Sequence, residues 1–277
     1  MILPGFGNDM VDYINPLGRG ESRGMVTALK KRGWDSCSVV SIKRGSWLNI
    51  AKGIFQRDFW DFECTPETLY SFYLEEVDRT VRQAVDEADE FDKCVLLGHS
   101  AGGWLARASL AMKPKESMPA LADLVGGVCT LGAPHKPPLP STPDMTRGAL
   151  THVNSNYPGA FLQDKVFYIS VAGTAIESNL RGNKIEKFAV DSYAQVSGMK
   201  GEGQIGDGVV PLSNAHLDGA AQLTLPGVYH SISAPNNFWY GGEDVIDFWL
   251  PILEKYWKNN SFRAVDVGVD MKALVTV

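Results

Sequence analysis

A serine hydroxyl attacks carbonyl carbon at neutral pH only when a base takes its proton and a carboxylate orients that base. The chain carries one of each in usable order. Ser100 stands in Gly98-His99-Ser100-Ala101-Gly102-Gly103, a G-x-S-x-G string. Small residues two before and two after the serine let a strand turn abruptly into a helix and leave the hydroxyl raised on the turn. In sites of this kind the acid follows the serine and the histidine comes last. His230, in Pro226-Gly-Val-Tyr-His230-Ser231, follows an apolar run and is the expected base. Asp207, in Gly206-Asp207-Gly208-Val209-Val210-Pro211, is the expected carboxylate, with Glu177 and Asp191 as runners-up. His99 adjoins Ser100 and is expected to point elsewhere. His135 and His152 fall in a proline-rich stretch that suits surface or lid roles, and His216 reads as a buried polar support for the acid loop.

Acyl transfer chemistry also needs donors for the developing oxyanion. One is the amide of Ala101, directly after the nucleophile. The other should come from the loop after the first strand, Pro4-Gly5-Phe6-Gly7. Phe6, whose amide follows Gly5, is the first choice and Gly7 the near alternative. Aromatic residues Trp47, Phe55, Phe59, Trp60, Tyr157 and Phe161 could line an apolar acyl site, and plain core packing explains them equally well.

The elements that must position these groups alternate along the chain. Short apolar runs at Ile2-Leu3, 37–42, 93–97, 127–131, 166–171 and 221–225 predict strands. Helical patterns are expected over 22–32 (closed by Gly33), from Pro66 to about Asp89 with Thr65 as N-cap, over 101–112 and over 243–258. Apolar strands separated by helices predict an α/β fold, a mostly parallel sheet covered on both faces. Residues 134–164 hold six prolines, and residues 173–206 are rich in glycine and charge. Both are expected to be cap- or lid-like loops on one domain spanning 1–277.

Composition narrows the class. The 277 residues are 44% hydrophobic and 21% charged, with 26 basic and 32 acidic side chains and a net charge of −6. That balance speaks against a nucleic-acid partner, which would need a basic stripe, and against purely electrostatic docking on an anionic membrane. No apolar run approaches the roughly 20 residues of a membrane-spanning helix. No secretory signal is legible, so the expected compartment is the cytoplasm, or a plastid if a transit segment has been removed. The four cysteines form no C-x-x-C pair, and Cys37, Cys94 and Cys129 sit at apolar runs, expected as buried reduced thiols. No metal and no cofactor is called for.

With these motifs in view, the sequence resembles the α/β-hydrolase superfamily. It is most similar to lipase-like members from plants, algae and photosynthetic microbes, related to the GPI-inositol-deacylase-like and bacterial true-lipase groups. The resemblance runs through Pro4-Gly-Phe-Gly7, Gly98-His-Ser-Ala-Gly-Gly103, Leu131-Gly-Ala-Pro-His135 and Thr146-Arg-Gly148. It continues in Val153-Asn-Ser-Asn-Tyr-Pro-Gly-Ala160, Gly206-Asp-Gly-Val-Val-Pro211, Ala215-His-Leu217, Gly227-Val-Tyr-His-Ser231 and Trp239-Tyr-Gly241. Pro4 stands where the group usually has a histidine, and two strands that precede this point in larger members are missing. The resemblance implies a three-layer α-β-α fold and hydrolysis of a small-molecule or lipid ester by a Ser100-Asp207-His230 triad, with transient lipid-surface contact. Acyl transfer to an alcohol would use the same triad, and a ligand-binding protein on this fold would have no need of it.

Overall fold

The structure, a computed structural model, describes residues 1–88, 93–114 and 118–259. Among these residues a five-stranded sheet contains β1 (Ile2–Leu3), β2 (Cys94–His99), β3 (Val125–Leu131), β4 (Phe167–Thr174) and, at its far edge, β7 (Ala221–Pro226). Every pairing within it is parallel. A separate antiparallel pair joins β5 (Ile176–Glu177) to β6 (Ile205–Gly206). The longer helices are α1 (Met25–Lys30), α2 (Ser71–Asp86), α3 (Ala101–Leu110), α4 (Ala149–Asn156), α5 (Lys184–Ser197) and α6 (Glu243–Asn259).

Alternation along the strands sends side chains to two cores. Leu96, Val128 and Tyr168 point to the face covered by α2 and α3, where Leu74, Val77, Val81, Trp104 and Leu105 pack. Val95, Leu97, Cys129, Leu131, Ile169 and Val171 point to the face covered by α1 and α6, against Met25, Leu29, Ile246, Trp249 and Leu253. Parallel strands buried on both faces give continuous apolar runs, which is why these segments lack a polar face. Because all five strands run the same way, their carboxyl ends share one edge, and Gly5, Ser100 and His230 lie just beyond β1, β2 and β7 at that edge.

Several expectations need correction. Residues 37–42 do not form a strand. They run beside β1 and make one bridge, Ile2 to Val39, through Ile2 N to Ser38 O at 2.8 Å and Val40 N to Ile2 O at 2.9 Å. β1 is too short to offer more, although Val40 and Ile42 still reach the core. The helix expected from Pro66 is broken. Thr65 caps a turn over Pro66–Leu69, and α2 begins only after Tyr70, whose backbone (φ −118°, ψ 19°) leaves the helical region. Tyr70 is buried edge-on against Trp104, ring centroids 5.0 Å apart. The expected end at Asp89 lies outside the described residues, and α2 closes at Asp86.

The glycine-rich segment 173–206 is not a plain loop. Its middle is α5, where Ala189, Val190, Tyr193 and Ser197 face inward. Asn183 Oδ1 accepts from the amides of Ile185 and Glu186 at 2.8 and 3.1 Å, and Gly198 closes the helix at φ 72°. Caps and one buried stripe outweigh the polar flanks. Likewise α4 forms within 134–164. Cys129 is buried as expected, whereas Cys37 and Cys94 are only half-buried; all four cysteines are free thiols. None of the described helices is long and apolar enough to cross a membrane.

Candidate active site

Ser100 terminates β2 with φ 53° and ψ −126°, a conformation that costs about 1–3 kcal/mol for a residue with a side chain. The surroundings hold it there. Ser100 N donates to Leu131 O at 3.0 Å, and Gly103 N donates to Ser100 O at 3.0 Å. The flanking glycines are required by close approach. A Cβ on Gly98 would sit 2.5 Å from Gly103 Cα, and one on Gly102 would sit 2.3 Å from Leu3 O. Without those methyls, α3 starts directly against the strand ends.

The histidine and the acid come from the loops around β7. His230 Nε2 lies 3.0 Å from Ser100 Oγ, and His230 Nδ1 lies 2.7 Å from Asp207 Oδ2. A carboxylate only accepts, so the imidazole proton sits on Nδ1 and the Nε2 lone pair faces the serine. His230 N donates to Asp207 O at 2.9 Å and ties the two loops together, and Gly208 N donates to Tyr193 Oη at 2.8 Å, anchoring the acid loop on α5. Asp207 is 2% exposed and saturated with donors. Oδ1 accepts from Val209 N and Val210 N, and Oδ2 accepts from Tyr240 Oη at 2.8 Å as well as from His230. Burial alone would raise its pKa. His230 and the two amides outweigh burial, and the pKa lies below the usual carboxylate value. Glu177 and Asp191, by contrast, are exposed and take no part.

The loop after β1 closes the site from the other side. A Cβ on Gly5 would fall 2.7 Å from Ser100 Cβ, so only glycine lets this loop lie over Ser100. Gly5 N is committed to Tyr13 Oη at 2.9 Å. Among the described residues the amides of Phe6, Gly7 and Ala101 have no acceptor, so both loop candidates remain available beside Ala101. Phe6 is 65% exposed and rests edge-on against Trp47, centroids 5.1 Å apart.

The other aromatics divide. Trp47 and Phe59 belong to the core, with the Arg147 guanidinium 4.3 Å above the Phe59 ring. Phe55 and Trp60 are exposed, while Tyr157 and Phe161 are half-buried against each other.

The remaining histidines have structural surroundings. His135 is not a surface or lid residue. The turn after β3 buries it completely, its Nε2 meets Thr130 Oγ1 at 2.9 Å, and desolvation pushes its pKa far down. His152 is half-buried beside Tyr157. His216 does not support the acid loop; it bridges Ser170 on β4 (3.3 Å) and Thr224 on β7 (2.9 Å). His99 points away from Ser100 and toward Tyr13 and the His230 carbonyl. No group of three or more His, Cys, Asp or Glu side chains among the described residues is arranged to hold a metal.

Sequence reasoning missed Tyr240, Tyr13 and Gly132. Tyr240 Oη accepts from Gly173 N at 2.7 Å while donating to Asp207, and burial holds its hydroxyl protonated. Gly132, at φ 58°, leaves room for that contact, since a Cβ there would fall 2.6 Å from Asp207 Oδ2. The local signals were the Leu131-Gly-Ala-Pro and Trp239-Tyr-Gly241 strings, which name no partner for Tyr240 or Gly132.

No protein-family model matches the chain, and no curated protein does. Solved structures do. The mature form of the Bacillus licheniformis lipase BlEst2 is 16% identical, with a TM-score of 0.51 over 91% of this chain and 90% of that one. The propeptide form of the same lipase is 14% identical with a TM-score of 0.51, covering 91% of this chain and 49% of the other. The chain therefore spans about half the length of that form. At such identities the likeness is one of fold.

Proposed function

We propose that this chain, which has the α/β-hydrolase fold, is a serine hydrolase that cleaves carboxylic esters through an acyl-enzyme. The observation that carries the reading is the unbroken contact from Ser100 Oγ to His230 Nε2 (3.0 Å) and from His230 Nδ1 to Asp207 Oδ2 (2.7 Å). As Ser100 Oγ attacks the ester carbonyl, His230 takes its proton, and buried Asp207 stabilises the imidazolium. The unpaired amides of Ala101 and Phe6, or Gly7 in place of Phe6, receive the oxyanion. When the tetrahedral adduct collapses, His230 returns the proton to the departing alkoxide, and the acyl group stays on Ser100. Water, deprotonated by His230, then attacks the acyl-enzyme, releasing the acid and restoring the serine. The lipase among the structural neighbours favours ester substrates, as does the exposed Phe6 ring, one residue after Gly5 on the loop over Ser100, which offers an acyl chain an apolar surface.

The test is hydrolysis of nitrophenyl esters of graded chain length by wild type and single variants. Ser100→Ala and His230→Ala should lose on the order of 10⁶ in kcat and Asp207→Asn about 10⁴, by analogy with other triads. His216→Ala should keep most of its activity. Hydrolysis retained in Ser100→Ala would sink the reading, and a greater loss in His216→Ala than in His230→Ala would move the base.

A further inference from the structure

Two side chains outside the reaction path connect its two halves. Tyr13 Oη has three polar neighbours: Gly5 N at 2.9 Å, Asn8 Nδ2 at 3.0 Å and His99 Nδ1 at 2.8 Å. Gly5 N and Asn8 Nδ2 can only donate, so both hydroxyl lone pairs are occupied and its single proton is left for His99 Nδ1. That nitrogen must then accept, which puts the imidazole proton of His99 on Nε2. Nε2 lies 3.0 Å from the carbonyl oxygen of His230, which can only accept. Every donor has one acceptor, and the direction of the whole chain follows from the groups at its ends. Tyr13 and His99 are also almost wholly buried, among the rings of Trp239 and Tyr240. Desolvation holds His99 neutral, its pKa lowered to about 3, so the single-proton arrangement persists at neutral pH.

The end points give this chain its consequence. One end is Gly5, whose Cα lies over Ser100 and whose position sets that of the Phe6 amide. The other end is the backbone of His230 itself. We propose that Tyr13 and His99 are positioning residues, forming a buried strut from the Gly5 amide to the His230 carbonyl that sets the oxyanion loop and the base loop at one separation across Ser100. The proposal rests on the serine hydrolase reading. A cut at either residue breaks this link between the loops, while each loop keeps its own anchors, Tyr73 Oη to Pro4 O at 2.8 Å and His230 N to Asp207 O at 2.9 Å.

The strut predicts a signature that a simple packing role does not. In Tyr13→Phe the ring remains and the hydroxyl goes, so kcat should fall about tenfold, short of the roughly 10² that a misplacement of about 1 Å costs. KM should move little, while the melting temperature falls, because the buried Gly5 amide and His99 Nδ1 lose their partner; a packing role alone would leave kcat unchanged. His99→Leu should lose more, and His99→Gln, which can still donate to the His230 carbonyl, should recover part of that loss. The double variant Tyr13→Phe/His99→Leu should be no slower than His99→Leu alone, since a strut already cut cannot be cut again.

The tautomer is read without turnover, from the ¹⁵N shifts of His99 in wild type, which should show a proton on Nε2 and no titration between pH 5 and 8 (the range where a free histidine changes charge). A proton on Nδ1, losses that multiply in the double variant, or unchanged kcat in Tyr13→Phe would overturn the strut. Absence of ester hydrolysis by wild type would instead overturn the proposed function, and the tautomer would still decide the strut.

Discussion

Gly5→Ala places one methyl where the structure has no room for it. The new Cβ would lie 2.7 Å from Ser100 Cβ, 3.2 Å from His99 O and 3.4 Å from His99 Nδ1. Carbon atoms rest at about 3.5–4.0 Å, so the loop or the serine must move by about 1 Å. Neither neighbour is the free end of a flexible side chain. Ser100 is held by its backbone bonds, so the loop yields, and the Phe6 amide moves with it. A displacement of about 1 Å costs about 10²-fold in rate, and complete loss of one oxyanion donor about 10²–10³-fold. The expected result is a kcat lower by about 10², with KM changed less than about threefold, because the donor acts mainly in the transition state.

The assay is steady-state hydrolysis of a short-chain nitrophenyl ester, with Gly7→Ala alongside. Gly7 sits at φ 74° with open space around its Cβ position, so its substitution costs about 1–2 kcal/mol of backbone strain and should slow catalysis less. If Gly5→Ala retained a third or more of wild-type kcat, or if Gly7→Ala were the slower variant, steric closure over Ser100 would be the wrong account of this loop.

Tyr240→Phe removes the hydroxyl shared by Gly173 N and Asp207 Oδ2. The stranded buried amide costs about 1–3 kcal/mol, visible as a melting temperature lower by about 2–4 °C per kcal/mol, and kcat should fall as Asp207 loses a donor; an unchanged melting temperature would refute the bond. Gly132→Ala drives a methyl to 2.6 Å from Asp207 Oδ2 at φ 58°, so thermal stability and kcat should fall together in a melting scan and an ester assay. Because the Asp207 pKa is lowered in the fold, its ionised form contributes stability above the unfolded value near 3.9 that is lost as pH falls through the folded value. Urea unfolding between about pH 5 and 2 should therefore show a shallower acid loss in Asp207→Asn than in wild type, and equal slopes would contradict the shift.

The parts of the site that were legible in the sequence are those whose geometry is local. Glycines two before and two after Ser100 state a steric requirement within one turn, and the order of Ser100, Asp207 and His230 restricts the histidine to very few positions. His135 misled because its proline-rich neighbourhood reads as surface, whereas its place at the end of β3 is set by strands that pair across the chain. The strand expected over 37–42 failed for the same reason: Val40 and Ile42 reach the core without a ladder, because a two-residue partner cannot supply one.

Tyr13 leaves no pattern, and for Tyr240 the Trp239-Tyr-Gly241 string marks a resemblance without assigning the hydroxyl a partner. The partners that give them their consequence, His99 and Asp207, lie 86 and 33 residues away, and a buried hydroxyl needs only one donor or acceptor at the correct distance, with no period and no flanking motif. Such residues emerge only when every buried polar atom is given a partner and the donors are counted. The count is decisive because the ends of each chain are groups whose roles cannot reverse: an amide donates, and a carbonyl or a carboxylate accepts. Between Gly5 N and the His230 carbonyl that rule leaves one arrangement of protons, and one arrangement is what a site needs if its two loops are to meet the same transition state each time.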